Sequence, residues 1–299
     1  MGFISRPFGL FLFWLNNLLG NYGAALIFFT LIVRIILLPL SFKQQKSMQD
    51  TQKIQPELAQ LREKYKNDKQ KLNEETMKLY KKHEINPAGG CFPLLIQFPI
   101  IIGLYQAIIK PLTYMFGLSE TQLSMLIEKV NEVLVSKGQQ AIGGIGRFEI
   151  AVAQNMKYLS AETLESVGLS AAKLINFNFL GLNLAEVPNL NFITVLWIIP
   201  LLAALTTFLS TKVSTAANES SKTEDSAAST MKTMNAIFPL MTAWFAFSMP
   251  AGVGFYWILG NVIQIIQQLV LNKYFSIKAE RNPLVIDNKP FRGGDGKHR

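Results

Sequence analysis

The sequence predicts an all-α polytopic membrane protein: a five-transmembrane-helix core with a polar groove, a cytoplasmic helical hairpin and an N-terminal interfacial helix. Three observations predict it. Hydrophobic residues make up 49% of the 299-residue chain, while charged residues are only 16%, against about 25% in soluble domains. The apolar residues cluster into stretches near the ~20 residues a helix needs to cross a bilayer. Basic residues concentrate in alternate connections, as membrane topology requires.

Each element follows in chain order. Residues 3–18 are rich in Phe and Leu, carry Trp14, and are too short in apolar core to span; they read as an amphipathic helix on the outer surface, within a 1–21 segment. A cleaved signal would need a small-residue site, and none is clear. The first span is Tyr22–Phe42. Residues 43–91 are polar, with Leu58, Leu61 and Tyr65 on one arm and Leu72, Leu79 and Tyr80 on the other, separated by a break at Asn67-Asp68. Pro56 kinks the first arm or starts a new helix. This hairpin is either a solvated arm with no partner or one that touches a ribosome, targeting factor or nascent chain.

Span two is 92–110, with Pro93 and Pro99 expected to bend or locally open it. A mildly acidic loop, 111–191, follows, with short helices expected at 119–136 and 160–175. Spans three, four and five are 192–211, 234–249 and 251–272, and a Ser/Thr/Ala-rich linker occupies 212–233. The fourth is short, but Pro250-Ala251-Gly252 makes a tight reversal into the fifth. Residues 273–299 form a basic tail, either topogenic or in contact with RNA or anionic lipid.

Charge orients these spans. Residues 43–91 hold 11 Lys/Arg and 7 Asp/Glu, 111–191 hold 5 and 7, and 273–299 hold 7 and 3. Basic segments stay inside. The expected orientation has the N-terminus outside and the C-terminus cytoplasmic. One cysteine and two histidines argue against disulfides, a CxxC site or a histidine metal centre. No enzymatic role, cofactor or small-molecule substrate is expected. A solute transporter fits poorly, because the spans hold no carboxylate for ion coupling and the halves show no repeat.

One charge interrupts the first span. Arg34 in TLIVRIILLPL lies close to mid-membrane, where burial of a charge is costly. It can snorkel, face a hydrated cavity, or await an acidic group on a substrate. Polar residues on other spans favour a hydrated groove: Gln97 and Gln106 on the second, Thr206, Thr207 and Ser210 on the third, and Asn261, Gln264, Gln267 and Gln268 on the fifth.

The strings TLIVRIILLPL, NPAGGCFPLLIQFPIIIGLYQAI and MNAIFPLMTAWFAFSMPAGVGFYWILGNVIQIIQQ together resemble the YidC family of membrane-protein insertases, which includes mitochondrial oxidase-assembly and chloroplast albino-type members. The resemblance covers about residues 20 to 275. It implies a five-helix core around a groove open to cytoplasm and lipid, with Arg34 as its arginine. Thr30, Gln97, Ile101, Phe245 and Trp257 match groove or substrate-contact positions. It implies nascent membrane proteins as substrates, insertion and folding assistance as the activity, and the ribosome, the Sec translocon and membrane lipids as partners. The 111–191 loop is long for a member lacking the large extracytoplasmic domain, and a lipoprotein-type signal cysteine is absent.

Overall fold

The computed structural model describes residues 2–86, 92–143, 149–170, 174–216 and 226–281; side chains are described through most of these, but not at 92–98, 215–216, 226–232, 234–235 or 278–281. Helices α1 (Gly2–Leu19) and α2 (Tyr22–Ile36) meet at Gly20, whose φ of +66° suits glycine. Asn21 caps α2, its side chain accepting from the Ala24 N–H. The expected single span 22–42 is instead a broken one. It bends by 54° at Leu37, and α3 (Leu38–Lys53) starts with Pro39 in its first turn. The proline lacks the N–H that would continue α2, so the ladder is re-aimed there.

The polar hairpin forms where the pattern places it. Helix α4 (Gln55–Lys64) opens with Pro56 in its first turn, and α5 (Lys69–Lys82) is capped by Asp68, which accepts from the Lys71 N–H. Ile54, Leu58, Leu61 and Leu79 are buried between them, with Tyr65, Leu72, Tyr80 and Ile85 around the edge. Glu57 lies 3.0 Å from His83 Nε2 and 3.5 Å from Lys82 Nζ, which brings the arms together at their open end.

Helix α6 (Phe92–Ile109) stays continuous through Pro99, so the expected opening there does not occur. The Gly89-Gly90 turn before it lies outside the described residues. The 111–191 segment is a folded unit. Helices α7 (Pro111–Tyr114), α8 (Glu120–Ser136), α9 (Glu149–Asn155) and α10 (Ala161–Ser166) precede a two-stranded hairpin, β1 (Asn178–Phe179) and β2 (Leu182–Asn183). Ser119 and Gln122 form a reciprocal capping box on α8. The helix expected over 160–175 ends at Ser166, with Gly168 at φ +79° just beyond. Buried Glu149 accepts from both the Thr113 N–H (2.7 Å) and hydroxyl (2.6 Å), tying α9 to α7. Burial pushes its carboxyl above the usual carboxylate range, against the Thr113 hydrogen bonds that favour the charge.

Helix α11 (Ile198–Ala216) follows a 3-10 turn at Val195–Trp197, later than the expected start of the third span. Helix α12 (Ser226–Ser248) extends well beyond the apolar 234–249 stretch, and α13 (Ala251–Arg281) runs past 272. The expected linker is therefore helical at both ends; its centre and the tail beyond 281 lie outside the described residues. Among the described residues two helical stretches, Val195–Ser214 and Ala251–Ile277, are long and apolar enough to cross a membrane, and the bent α2–α3 pair makes a third if it is counted as one span.

Helix α11 packs along both α12 and α13, which touch each other little; α13 also packs on α2, and α1 lies against α2 and α6. The largest core gathers α1, α2, α6 and the 111–191 unit at one end of the bundle, called here the loop end. The opposite end carries the α4–α5 hairpin.

Candidate functional site

Polar residues of α13 form a stripe, from which Gln267 stands apart. Trp257, Asn261, Gln264, Gln268 and Asn272 recur at spacings of three or four, which places them on one helical face. At its loop-end half the stripe faces α11. The Asn261 amide donates to Thr207 Oγ1 (2.8 Å) and Thr206 Oγ1 (3.2 Å), and Trp257 Nε1 donates to Thr207 Oγ1 at 3.2 Å. Thr206 in turn donates to the Leu202 carbonyl (2.7 Å). Buried Ser210 and half-buried Gln264 lie a turn further along the same two helices.

Towards the hairpin end the stripe faces α3. Gln45, 3% exposed, donates from Nε2 to Asn272 Oδ1 (2.7 Å) and accepts from Gln268 Nε2 (2.8 Å). Phe42, also on α3, packs at a tilt against the rings of Tyr274 and Phe275. Sequence reasoning missed Gln45 and Asn272. Their signal is available in hindsight, because Asn272 continues the α13 stripe one turn beyond Gln268.

Arg34 approaches α13 from α2. Its guanidinium donates through Nη2 to the Gly260 carbonyl at 2.9 Å. A side chain at Gly260 would crowd that nitrogen at 3.2 Å, so the missing Cβ leaves room for the contact. Arginine carries five N–H donors, and the spans predicted from sequence contain no Asp or Glu. Thr30, one turn earlier, is buried, and its hydroxyl is used within α2 on the Leu26 carbonyl (2.6 Å).

A second feature is apolar. A cavity of about 240 Å³ opens between α6, α11, α12 and α13, lined among others by Ile101, Tyr105, Phe245, Met249 and Trp257. Ile101, Phe245 and Trp257 therefore meet in one place, and Trp257 belongs to both the cavity and the polar stripe. The side chain of Gln97 lies outside the described residues.

A bent α2–α3 pair, an arginine held against the last helix and a polar stripe beside an apolar cavity now stand together. The model of the family described as 60Kd inner membrane protein matches residues 14–279. The chain belongs to this YidC-type family. A relative from Fusobacterium nucleatum, called membrane protein insertase YidC, is 30% identical over 258 residues, covering 86% of this chain and 89% of the relative. Membrane protein insertase YidC 2 of Listeria innocua is 29% identical over 291 residues, covering 94% and 75%. The YidC of Nitratidesulfovibrio vulgaris reaches 48% identity over 109 residues, which is 36% of this chain and only 20% of that longer protein. Among solved structures, a crystal structure of an active YidC insertase with its first transmembrane domain resolved matches at 24% identity and a TM-score of 0.47, over 88% of this chain and 45% of that one.

Proposed function

We propose that this protein is a membrane-protein insertase and folding chaperone of the bacterial plasma membrane, without catalytic chemistry of its own. In this reading the core has five spans, with α6 and α12 completing the set, the N-terminus outside and the C-terminus in the cytoplasm. The observation that carries it is Arg34, tethered to a main-chain carbonyl on α13, with no carboxylate in the spans, beside a stripe of amides. A cation left without a counter-charge in a membrane core is costly by ~2.5–3.5 kcal/mol or more. Such a group is retained where it meets water or an incoming anion.

The mechanism follows from the two features of the site. The apolar segment of a nascent client rests against the surface of Ile101, Phe245 and Trp257. Its short polar or acidic flank enters the groove bounded by α2, α3, α11 and α13, where Gln264 and the remaining Arg34 donors lower its desolvation cost and the Asn261 amide oxygen can accept from a donor on a polar flank. The flank then passes outward as the apolar segment partitions into lipid, which supplies the favourable free energy. The α4–α5 hairpin and the basic tail are the surfaces that would meet a ribosome, and the Sec translocon is a candidate partner for larger clients.

The test is insertion of a single-span client with an acidic outer tail into reconstituted vesicles. Arg34→Lys should insert it, Arg34→Ala should fail, and Ala should recover with a neutral-tailed client. Native-like insertion of the acidic client by Arg34→Ala would sink the electrostatic role. A purely structural assembly factor would show no insertion by the native protein.

A further inference from the structure

The β1–β2 hairpin carries the wrong residue at its tip. Its register pairs Phe179 with Leu182, leaving Leu180 and Gly181 as a two-residue turn. Both have positive φ, +50° and +79°. Such turns favour Asn-Gly, because the left-handed conformation strains a residue with a Cβ. Here the first position is leucine, and it is 86% exposed. Neither local conformation nor internal packing explains that choice.

The position of the tip suggests what does. Phe179 fills the space left by Gly23 on α2, and its ring lies 5.4 Å from that of Phe255, one turn into α13. The hairpin therefore reaches to the level of the first turns of helices that begin at this end of the bundle. Beside it runs a second exposed apolar set: Leu190, Phe192, Ile193 and Val195, between 65% and 86% exposed. Gly181 and Leu182 of the hairpin and Thr194 and Val195 of the run border one recess. The Trp197 indole holds the run in place, donating to the Asn189 carbonyl (2.8 Å) and the Phe192 carbonyl (3.2 Å). Trp is the residue that favours the bilayer–water boundary, and this one stands where a membrane-length helix begins. The run also continues into the exposed apolar side chains of α11: Ile198, Leu201 and Leu205.

We propose that Leu180 and the Leu190–Val195 run form a lipid-seated foot that dips into the bilayer leaflet at the loop end, the outer leaflet in the orientation proposed above. Its ligand is the glycerol and upper acyl region of the lipids. The foot holds the 111–191 unit against the membrane, so that the outer ends of α2 and α13 stay covered.

The test needs no client, so its failure is separable from failure of the insertase reading. In a Cys91→Ser background, cysteines are placed at Leu180, at Ile193 and, as control, at Lys129 on the charged face of α8. Each is labelled with an environment-sensitive fluorophore and reconstituted in phosphatidylcholine/phosphatidylglycerol vesicles. Lipids carrying a shallow nitroxide, present in both leaflets, should quench the labels at 180 and 193 several-fold more than the label at 129, and aqueous iodide should show the reverse. Iodide quenching at 180 and 193 equal to that at 129 overturns the proposal in favour of a solvated tip. Protection from both quenchers overturns it in favour of a second copy or another protein. Leu180→Asn supplies an independent check: it relieves the turn and should leave the melting temperature in detergent unchanged or raised. A clear fall would mean that Leu180 packs inside the protein, and would also overturn the foot.

Discussion

Gly9 and Gly103 both seat α1, yet they should respond differently to the same added methyl group. A Cβ at Gly9 would collide with the Tyr114 carbonyl group, which is backbone and cannot rotate away. At Gly103 it would meet the Ile4 Cγ2 methyl at 2.6 Å, on a β-branched side chain whose χ1 is restricted in a helix, so relief needs a small shift of α1 against α6. Overpacking costs ~1–3 kcal/mol, while alanine in a helix interior regains up to about 1 kcal/mol over glycine. Gly9→Ala should therefore lower the melting temperature in detergent clearly, and Gly103→Ala should lower it by less. Individual residues were unevenly legible in the sequence. Arg34 stood out as a charge in an apolar run, and the polar residues of α13 announced themselves by type. Thr30 did not reveal that its hydroxyl stays within its own helix, because a back-bond to the residue four earlier leaves no mark in composition.

The elements are joined at two polar clasps, one at each end of the bundle. Asn21 caps α2 and also donates from Nδ2 to the Asn178 carbonyl of the hairpin at 2.7 Å. Asn21→Ser keeps a cap and loses the hairpin bond, whereas Asn21→Ala loses both. The expected order of thermal stability is native, Ser, Ala, with Ala lower by roughly 1–2 kcal/mol. At the other end, Gln45→Leu removes the amide that joins α3 to Gln268 and Asn272. Spin labels on Lys78 and Ser276 should then give a broader distance distribution by pulsed EPR; an unchanged one would show that the Phe42 aromatic contacts alone hold α3. Long elements were readable from sequence because apolar periodicity, Pro56 and Asp68 mark them. The β hairpin was not: two-residue strands carry no alternation, and a Leu-Gly turn lacks the usual signal. The 54° bend was missed although Pro39 marks it in the sequence, because the apolar run on either side reads as one span.

On the scale of the whole molecule, the 111–191 unit should respond to pH through Glu149. Its folded-state carboxyl titrates above its unfolded-state value because of burial, so the native state holds the proton more tightly. The stability that this group contributes is full below the unfolded-state value and is lost as pH rises through the folded-state value. Melting temperature followed by circular dichroism should rise on mild acidification from neutrality. Glu149→Gln, which cannot ionise, should flatten that part of the profile. The fold class was legible at this scale because composition and the clustering of apolar residues dominate it. The packing of the 111–191 unit was hidden, because its core is assembled from short helices whose contacts are distant in sequence.

The arrangement around α11 has a practical result for the chain's connectivity. The start of α13 is fastened by main-chain bonds from the Ala251 N–H to the Glu186 carbonyl (2.8 Å) and from the Gly252 N–H to the Leu184 carbonyl (2.7 Å). Its length is held by α11 and α2, while among the described residues α12 leans mainly on α11. The Met249-Pro250 link is thus a convenience of synthesis rather than a strut. A gene split at that point, with both pieces expressed in the same cell, should yield fragments that find each other and copurify.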